Sequence, residues 1–310
     1  MSTPSPSSAG VPGTPGPAEG AGAPTLADVV RVIESLYPPS TAESWDAVGL
    51  VAGDPAEPVR KVLLAVDPVD TVLDEAVEWG ADLVVSHHPL LLRPVHSVAA
   101  TTFKGALVHR AVRTGVALYV AHTNADVAAG GVADALARAL GVVETVPLVP
   151  LDTAGSDGTG TGRVGRLDPP VTLGDLADRV AATLPATAQG VRVAGALDAR
   201  VERVAVVGGS GDGFFDDVRA AGVDVYVTAD LRHHPASELR ERAEHEARAA
   251  GLGPEAARPF LVDVAHFASE WPWLDHAARD IAAALGTGTV ELRVSTRSTD
   301  PWTARVASPA

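Results

Sequence analysis

DLVVSHHP, residues Asp82 to Pro89, decides the fold. It opens as a short, unbroken apolar run of strand length and ends on two adjacent histidines and a proline. A run without polar alternation predicts a strand buried on both faces, as in a parallel sheet covered by helices. The same pattern recurs on either side. KVLLAV (Lys61 to Val66) and VALYVA (Val116 to Ala121) are strands of the same character, and Val69–Trp79, Phe103–Arg113 and Gly131–Leu140 carry helical spacing. Upstream, TLADVVRVIESLYPP is apolar at Leu26, Val29, Val30, Val32, Ile33 and Leu36. It predicts a helix capped by Thr25 and stopped by Pro38-Pro39, with SWDAVGLVAGDP turning into a short strand after it.

A turn-rich stretch, DTAGSDGTGTG (Asp152 to Gly162), reads as a flexible linker. A second α/β series follows it. Helices are expected over Thr172–Leu184, Phe214–Ala221, Leu239–Ala250 and Leu274–Leu285. Strands are expected over Val191–Ala194, Arg203–Val207, Val223–Thr228, Phe260–Val264 and Thr289–Val294. The fold class is therefore α/β, in two lobes with mainly parallel sheets. Residues 25–150 with 256–294 form the first lobe, which carries the candidate ligands, and 163–255 form the second. Residues 1–24, rich in Pro, Gly, Ser and Ala, read as a disordered tail, and 295–310 as a loose C-terminal tail.

The strand ends carry the chemistry. In open parallel sheets, ligands bind at the carboxyl edge of the strands. His87 and His88 lie there, and Pro89 stiffens the exit. AHTNAD (Ala121 to Asp126) follows VALYV and brings His122 and Asp126 to the same edge. DVAHFASEWP (Asp263 to Pro272) follows another apolar strand and places His266 and Glu270 in a turn before a helix starting near Pro272. Each feature has a plainer reading: surface histidines, a helix-capping Asp126, or a Glu270 facing a helix dipole. Three strand ends of one chain offering His, two of them adding a carboxylate, favour metal. Three histidines (His87, His88, His266) and two carboxylates (Asp126, Glu270) exceed the needs of one zinc ion and suit a pair of divalent cations about 3.5–4 Å apart. Such a pair activates water for hydrolysis.

Other motifs weigh less. GGSGDG (Gly208 to Gly213) resembles a phosphate-cradling turn but lacks the P-loop lysine, and a tight structural turn is the preferred reading. His233 and His234, in TADLRHHP, are expected on an exposed loop, and His96, His109, His245 and His276 on surfaces or helix faces.

Composition narrows the function classes. Of 310 residues, 46% are hydrophobic and 20% charged, enough for a sizeable core. The net charge of −15 opposes binding to nucleic acid or anionic lipid, although bound cations would reverse the field locally. There is no cysteine, so disulfides and thiolate sites are excluded, and His with carboxylate admits Zn, Mn, Fe, Co or Ni. No apolar run reaches the ~18 residues of a membrane helix. The N-terminus lacks a secretory pattern, and a cytoplasmic location is expected.

The blocks IESLYPPSTAESWDAVGLVAGDP, DLVVSHHPLLLRPV, GVALYVAHTNADVAAGGVADALARALG, VVGGSGDGFFDDVRAAGVDVYVTADLRHHP and DVAHFASE resemble, in order, those of the Nif-three-like dinuclear-metal-centre hexameric family, often labelled GTP cyclohydrolase 1 type 2 homologues. The resemblance covers roughly residues 26 to 290. It implies a metal pair in the cleft between two lobes and a toroidal homohexamer. By position it implies the ligands His87, His88, Asp126, His266 and Glu270, with His122 beside the metals as a proton carrier and Trp45 and Asp46 in the family's SWDNVGL-like block. Ala47 replaces the usual Asn, Ala265 replaces a usual Gly, and the His234–His266 connection is longer than usual. The expected function is a metal-dependent hydrolase, of cyclohydrolase or phosphoesterase type, in which metal-bound water attacks a nucleotide such as GTP or another phosphoester. The alternative is a non-catalytic metal-binding regulatory, chaperone or scaffold protein.

Overall fold

The computed structural model describes residues 22–151 and 158–307. The expected N-terminal tail falls mostly outside that range, as do residues 152–157 of the expected linker. In chain order the elements are α1 (Leu26–Leu36), β1 (Gly49–Ala52), β2 (Lys61–Ala65), α2 (Asp70–Trp79), β3 (Leu83–Ser86), α3 (Phe103–Thr114), β4 (Ala117–Val120), α4 (Thr123–Val127), α5 (Val132–Ala139), β5 (Val142–Pro150) and β6 (Gly160–Thr172). There follow α6 (Leu173–Thr183), β7 (Arg192–Ala194), β8 (Arg200–Ser210), α7 (Phe215–Ala221), β9 (Val225–Ala229), α8 (His233–Ala249), β10 (Phe260–Val264), α9 (His266–Glu270), α10 (Pro272–Leu285) and β11 (Glu291–Val294).

The fold is α/β with two sheets. The first has the order β1-β4-β3-β2-β11, parallel throughout except for the edge strand β1. The second has the order β5-β6-β8-β9-β10-β7, and only β8-β9 and β9-β10 are parallel. The expectation of mainly parallel sheets thus holds for the first sheet and is corrected for the second. The reason lies in β5 and β6, which the sequence hid. VVETVPLVP has two prolines and a largely exposed pattern, and GTGRVGRLDPPVT is rich in Gly and Pro. Neither shows strand periodicity, because β5 is an edge strand and both ladders carry register shifts. The Gly160 and Gly162 end of the expected linker is the start of β6.

Strand β10 also sits elsewhere than expected. It joins the second sheet between β9 and β7, while β11 joins the first beside β2. The β9–α8–β10 crossover carries it there, as short strand–helix–strand units do. Helix α8 begins at His233, six residues before the expected start, because Pro235 falls in a first turn that leaves its missing N–H without cost.

One apolar cluster joins the two sheets. It includes Val62, Leu64 and Val85 from the first, Val204, Val227 and Val262 from the second, and α5 and α10 packed between them. Trp273 of α10 is fully buried and meets Tyr37 edge-on at 5.5 Å. This packing holds the carboxyl ends of β2, β3 and β4 against those of β8, β9 and β10.

Candidate metal centre

Six parallel strands end on one place. His87 and His88 leave β3 directly, and His122 leaves β4. Asp126 lies on α4, which follows β4, and His266 and Glu270 lie on α9, which follows β10. The sequence put His266 and Glu270 in a turn before a helix; they lie on a five-residue helix of their own, four residues apart and so on one face. Ala265, in the position read as a departure, has an ordinary extended backbone and needs no glycine.

The structure brings all five candidate residues together. His87 Nε2 lies 3.7 Å from Asp126 Oδ1 and 3.5 Å from Glu270 Oε1. His88 Nε2 lies 3.1 Å from Glu270 Oε2, and His266 Nε2 lies 2.9 Å from Glu270 Oε1. The Nε2 atoms of His88 and His266 are 3.2 Å apart. Among the described residues, two groups have ligand atoms within 4.8 Å of one another: His87, His88 and His122, and His88, His266 and Glu270. His87 is wholly buried, and its Nε2 and Glu270 Oε2 make no hydrogen bond.

The outward side of each imidazole is tied down. His87 Nδ1 faces the Ala121 carbonyl at 3.0 Å; a carbonyl only accepts, so that nitrogen holds the proton. His88 Nδ1 meets Asp67 at 2.7 Å, His266 Nδ1 meets Asp230 at 2.7 Å, and His122 Nδ1 meets Asp46 at 2.9 Å. With Nδ1 as donor in each ring, the neutral imidazole points its Nε2 lone pair inward. Metal-binding histidines are held in this way.

The electrostatics agree. Burial disfavours the charged form of Glu270, but the rings of His88, His87 and His266 hold it well below the carboxylate range. Burial likewise opposes charge on His88, yet Glu270 and the Asp67 hydrogen bond raise it to about 11. Glu270 and Asp230 raise His266 to about 10 against the same opposition. Burial lifts Asp126 to about 6. His122 moves the other way: burial and the neighbouring His87 lower it despite Asp46. The cluster thus has side chains that could hold a cation. Two protons on Nε2 atoms 3.2 Å apart would repel each other, whereas one divalent cation satisfies both lone pairs.

Sequence reasoning missed the space-makers. Only the second half of the GGSGDG stretch is a turn: Gly208 to Ser210 end β8, and Asp212 and Gly213 open a 3-10 turn, Asp212–Phe214. Gly209 has φ +72°, and a Cβ there would come 2.6 Å from Glu270 Oε1 and 3.2 Å from His266 Nε2. The paired glycines were the available signal, pointing to close approach of backbone to a site. Asp67 and Asp230 were missed as well, although Asp230 directly follows β9 and Asp67 lies two residues past the end of β2. His233 and His234 are exposed on the first turn of α8 rather than on a loop. His96, His109 and His245 are exposed, and His276 is half-buried against Arg138 at 2.6 Å.

A cavity of about 410 Å³ opens on the cluster, between Trp45, Phe214, Thr161 and the Gly208–Ser210 backbone. A larger one, about 640 Å³, lies at the opposite end of the first-sheet strands near Arg60 and Ala117 and has no histidine in its walls.

Comparison with known proteins places the chain among relatives. Residues 24–301 match the family model described as Duf34/NIF3 (NGG1p interacting factor 3). A Streptomyces coelicolor protein named GTP cyclohydrolase 1 type 2 homolog is 51% identical over 288 residues, covering 92% of this chain and 96% of the relative. A Mycobacterium bovis protein of the same name is 37% identical, covering 89% and 96%. Among solved structures, a Bacillus cereus protein related to NIF3 superposes with a TM-score of 0.77 at 25% identity, covering 91% of this chain and all of the other.

Proposed function

The chain belongs to the Duf34/NIF3 family, and from that premise we propose that it is a metal-dependent hydrolase holding two divalent cations on His87, His88, Asp126, His266 and Glu270. The observation that carries the reading is the set of inward Nε2 atoms around Glu270, with every Nδ1 committed elsewhere. Bound cations would supply Lewis acidity, polarising a phosphoryl or carbonyl oxygen and acidifying water. Asp126 and Glu270 would bring the negative charge that holds them. His122, oriented by Asp46 and facing His87 and His88, is placed to carry a proton at Nε2. Trp45 and Phe214 give the adjoining cavity aromatic walls for a substrate ring.

The relatives' name directs the substrate search to nucleotides such as GTP, with other phosphoesters beside them. The proposed assembly is a homohexamer. The test is turnover by reconstituted protein across nucleotides and model phosphoesters. Hydrolysis that a chelator abolishes and added metal restores is the expected result. Stable metal binding with no turnover of any of them would favour a non-catalytic metal-binding role instead.

A further inference from the structure

The expectation of a loose tail over residues 295–310 is corrected for 295–302 by their contacts, while 308–310 lie outside the described residues. Residues 295–307 form no helix or strand, yet the first of them are fastened to the protein at Ser295 and Thr299. Ser295 is buried. Its N–H donates to the Leu64 carbonyl at 2.8 Å, its Oγ donates to Glu75 at 2.6 Å, and its carbonyl accepts from Trp271 Nε1 at 3.3 Å. From that anchor the chain passes the metal centre. The Thr299 hydroxyl donates to Asp67 Oδ2, the oxygen of Asp67 that His88 leaves free. Asp300, Pro301 and Trp302 then wall a second cavity of about 300 Å³, which also touches Asp67, His88, Asp230 and His266.

A pattern gives this contact its meaning. Three outer carboxylates each accept one imidazole Nδ1–H and one side-chain hydroxyl. Asp46 takes His122 on one oxygen and Thr123 on the other, and Asp67 likewise takes His88 and Thr299, whereas Asp230 takes His266 and Ser210 on the same oxygen, Oδ2. A carboxylate held at a single point can rotate about its side-chain torsions and carry its imidazole with it. A second donor on the other oxygen, as at Asp46 and Asp67, fixes its plane and so the direction of the Nε2 lone pair. Thr123 sits beside His122 in sequence and Ser210 ends β8, so two of the three hydroxyls come from elements that already build the site. The third comes from the far end of the chain, 232 positions from Asp67.

We propose that Thr299 is a positioning residue of the metal centre, and that residues 295–302 are a strap holding the Asp67–His88 pair in line with the cations. The proposal rests on the dinuclear reading above. It adds that affinity for metal depends on one hydroxyl in a segment with no regular structure.

The test uses the full chain, stripped and reloaded with Co²⁺, in wild type, Thr299→Val and Thr299→Ser. Affinity is read by competition with a chelator and ligand geometry by the visible absorption of bound cobalt. Thr299→Val keeps the shape and removes the hydroxyl. It should weaken cobalt binding about ten- to hundredfold, the range for lost outer partners of metal ligands, and shift the absorption bands. Thr299→Ser should restore both, and thermal unfolding of the three metal-free proteins should coincide. Wild-type affinity and spectrum in Thr299→Val would overturn the proposal, as would equal loss in the Val and Ser variants. If wild type itself binds no cobalt, the dinuclear reading falls and this one with it. Metal binding in wild type with no change in Thr299→Val removes the strap alone.

Discussion

The two parallel triplets, β2-β3-β4 and β8-β9-β10, meet end to end at the site and do different work there. The first delivers its candidate ligands in the open: His87 and His88 sit immediately after β3 in DLVVSHHP, and Asp126 lies a few residues past β4 in AHTNAD. The second delivers His266 and Glu270 on a separate helical turn. It also contributes features that carry no ligand atom, namely the glycine backbone of β8 and the Asp230 carboxylate. The first triplet has a single antiparallel neighbour, β1, whereas the second is flanked by the β5–β6 pair and by β7. One side of the centre is thus set by residue type and the other largely by available space. Substitutions can separate the two contributions.

The largest expected effect on stability lies in the β5–β6 flank. Arg163 of β6 is 2% exposed, and its guanidinium binds Asp134 of α5 and the carbonyls of Ala128, Gly160 and Gly162. Removing one partner of a buried ion pair leaves the other stranded. Arg163→Ala should cost about 3–5 kcal/mol in urea unfolding. A loss under 1 kcal/mol would mean that the hairpin is not what steadies the second triplet.

Gly209→Ala should follow. It forces a side chain into left-handed backbone and into the space of Glu270. Overpacking costs about 1–3 kcal/mol, and metal content should fall with stability. Full metal content in this variant would show that the second triplet's role as a space-maker is overstated.

The symmetry of the two halves is tested by Asp67→Asn and Asp230→Asn, each of which removes the charge behind one imidazole. Chelator competition should show about ten- to hundredfold weaker metal binding for each. A large effect for one and none for the other would reveal unequal metals. The smallest effect should come from Thr25→Ala, which breaks the capping box with Asp28 at the start of α1. It should cost about 1 kcal/mol by thermal unfolding and leave metal content unchanged.

The ease of reading followed the same division. Strands β2, β3 and β4 were plain in the sequence because burial on both faces leaves nothing but apolar residues. Helix α10 was plain because Pro272 marks its start. Strands β5 and β6 were hidden because an edge strand and a strand with Arg163 as its buried anchor owe their conformation to partners, not to local pattern. The five candidate residues stand out in the sequence because each follows an apolar strand by a few residues, and the structure brings them together. Asp67, Asp230 and Thr299 do not stand out, since a lone aspartate or threonine after a strand has many commoner uses. The two aspartates stand out only when the imidazole Nδ1 atoms are seen to need acceptors, and Thr299 only when the second oxygen of Asp67 is followed.

The central claim, two cations held by these five side chains, is tested most directly by elemental analysis of untagged protein. Wild type and the double variant His87→Ala with Glu270→Ala would be measured after purification and again after reconstitution. Close to two ions per chain in wild type, lost in the variant, is the predicted result. Wild type without bound metal even after reconstitution, or a variant that retains both ions, would contradict it.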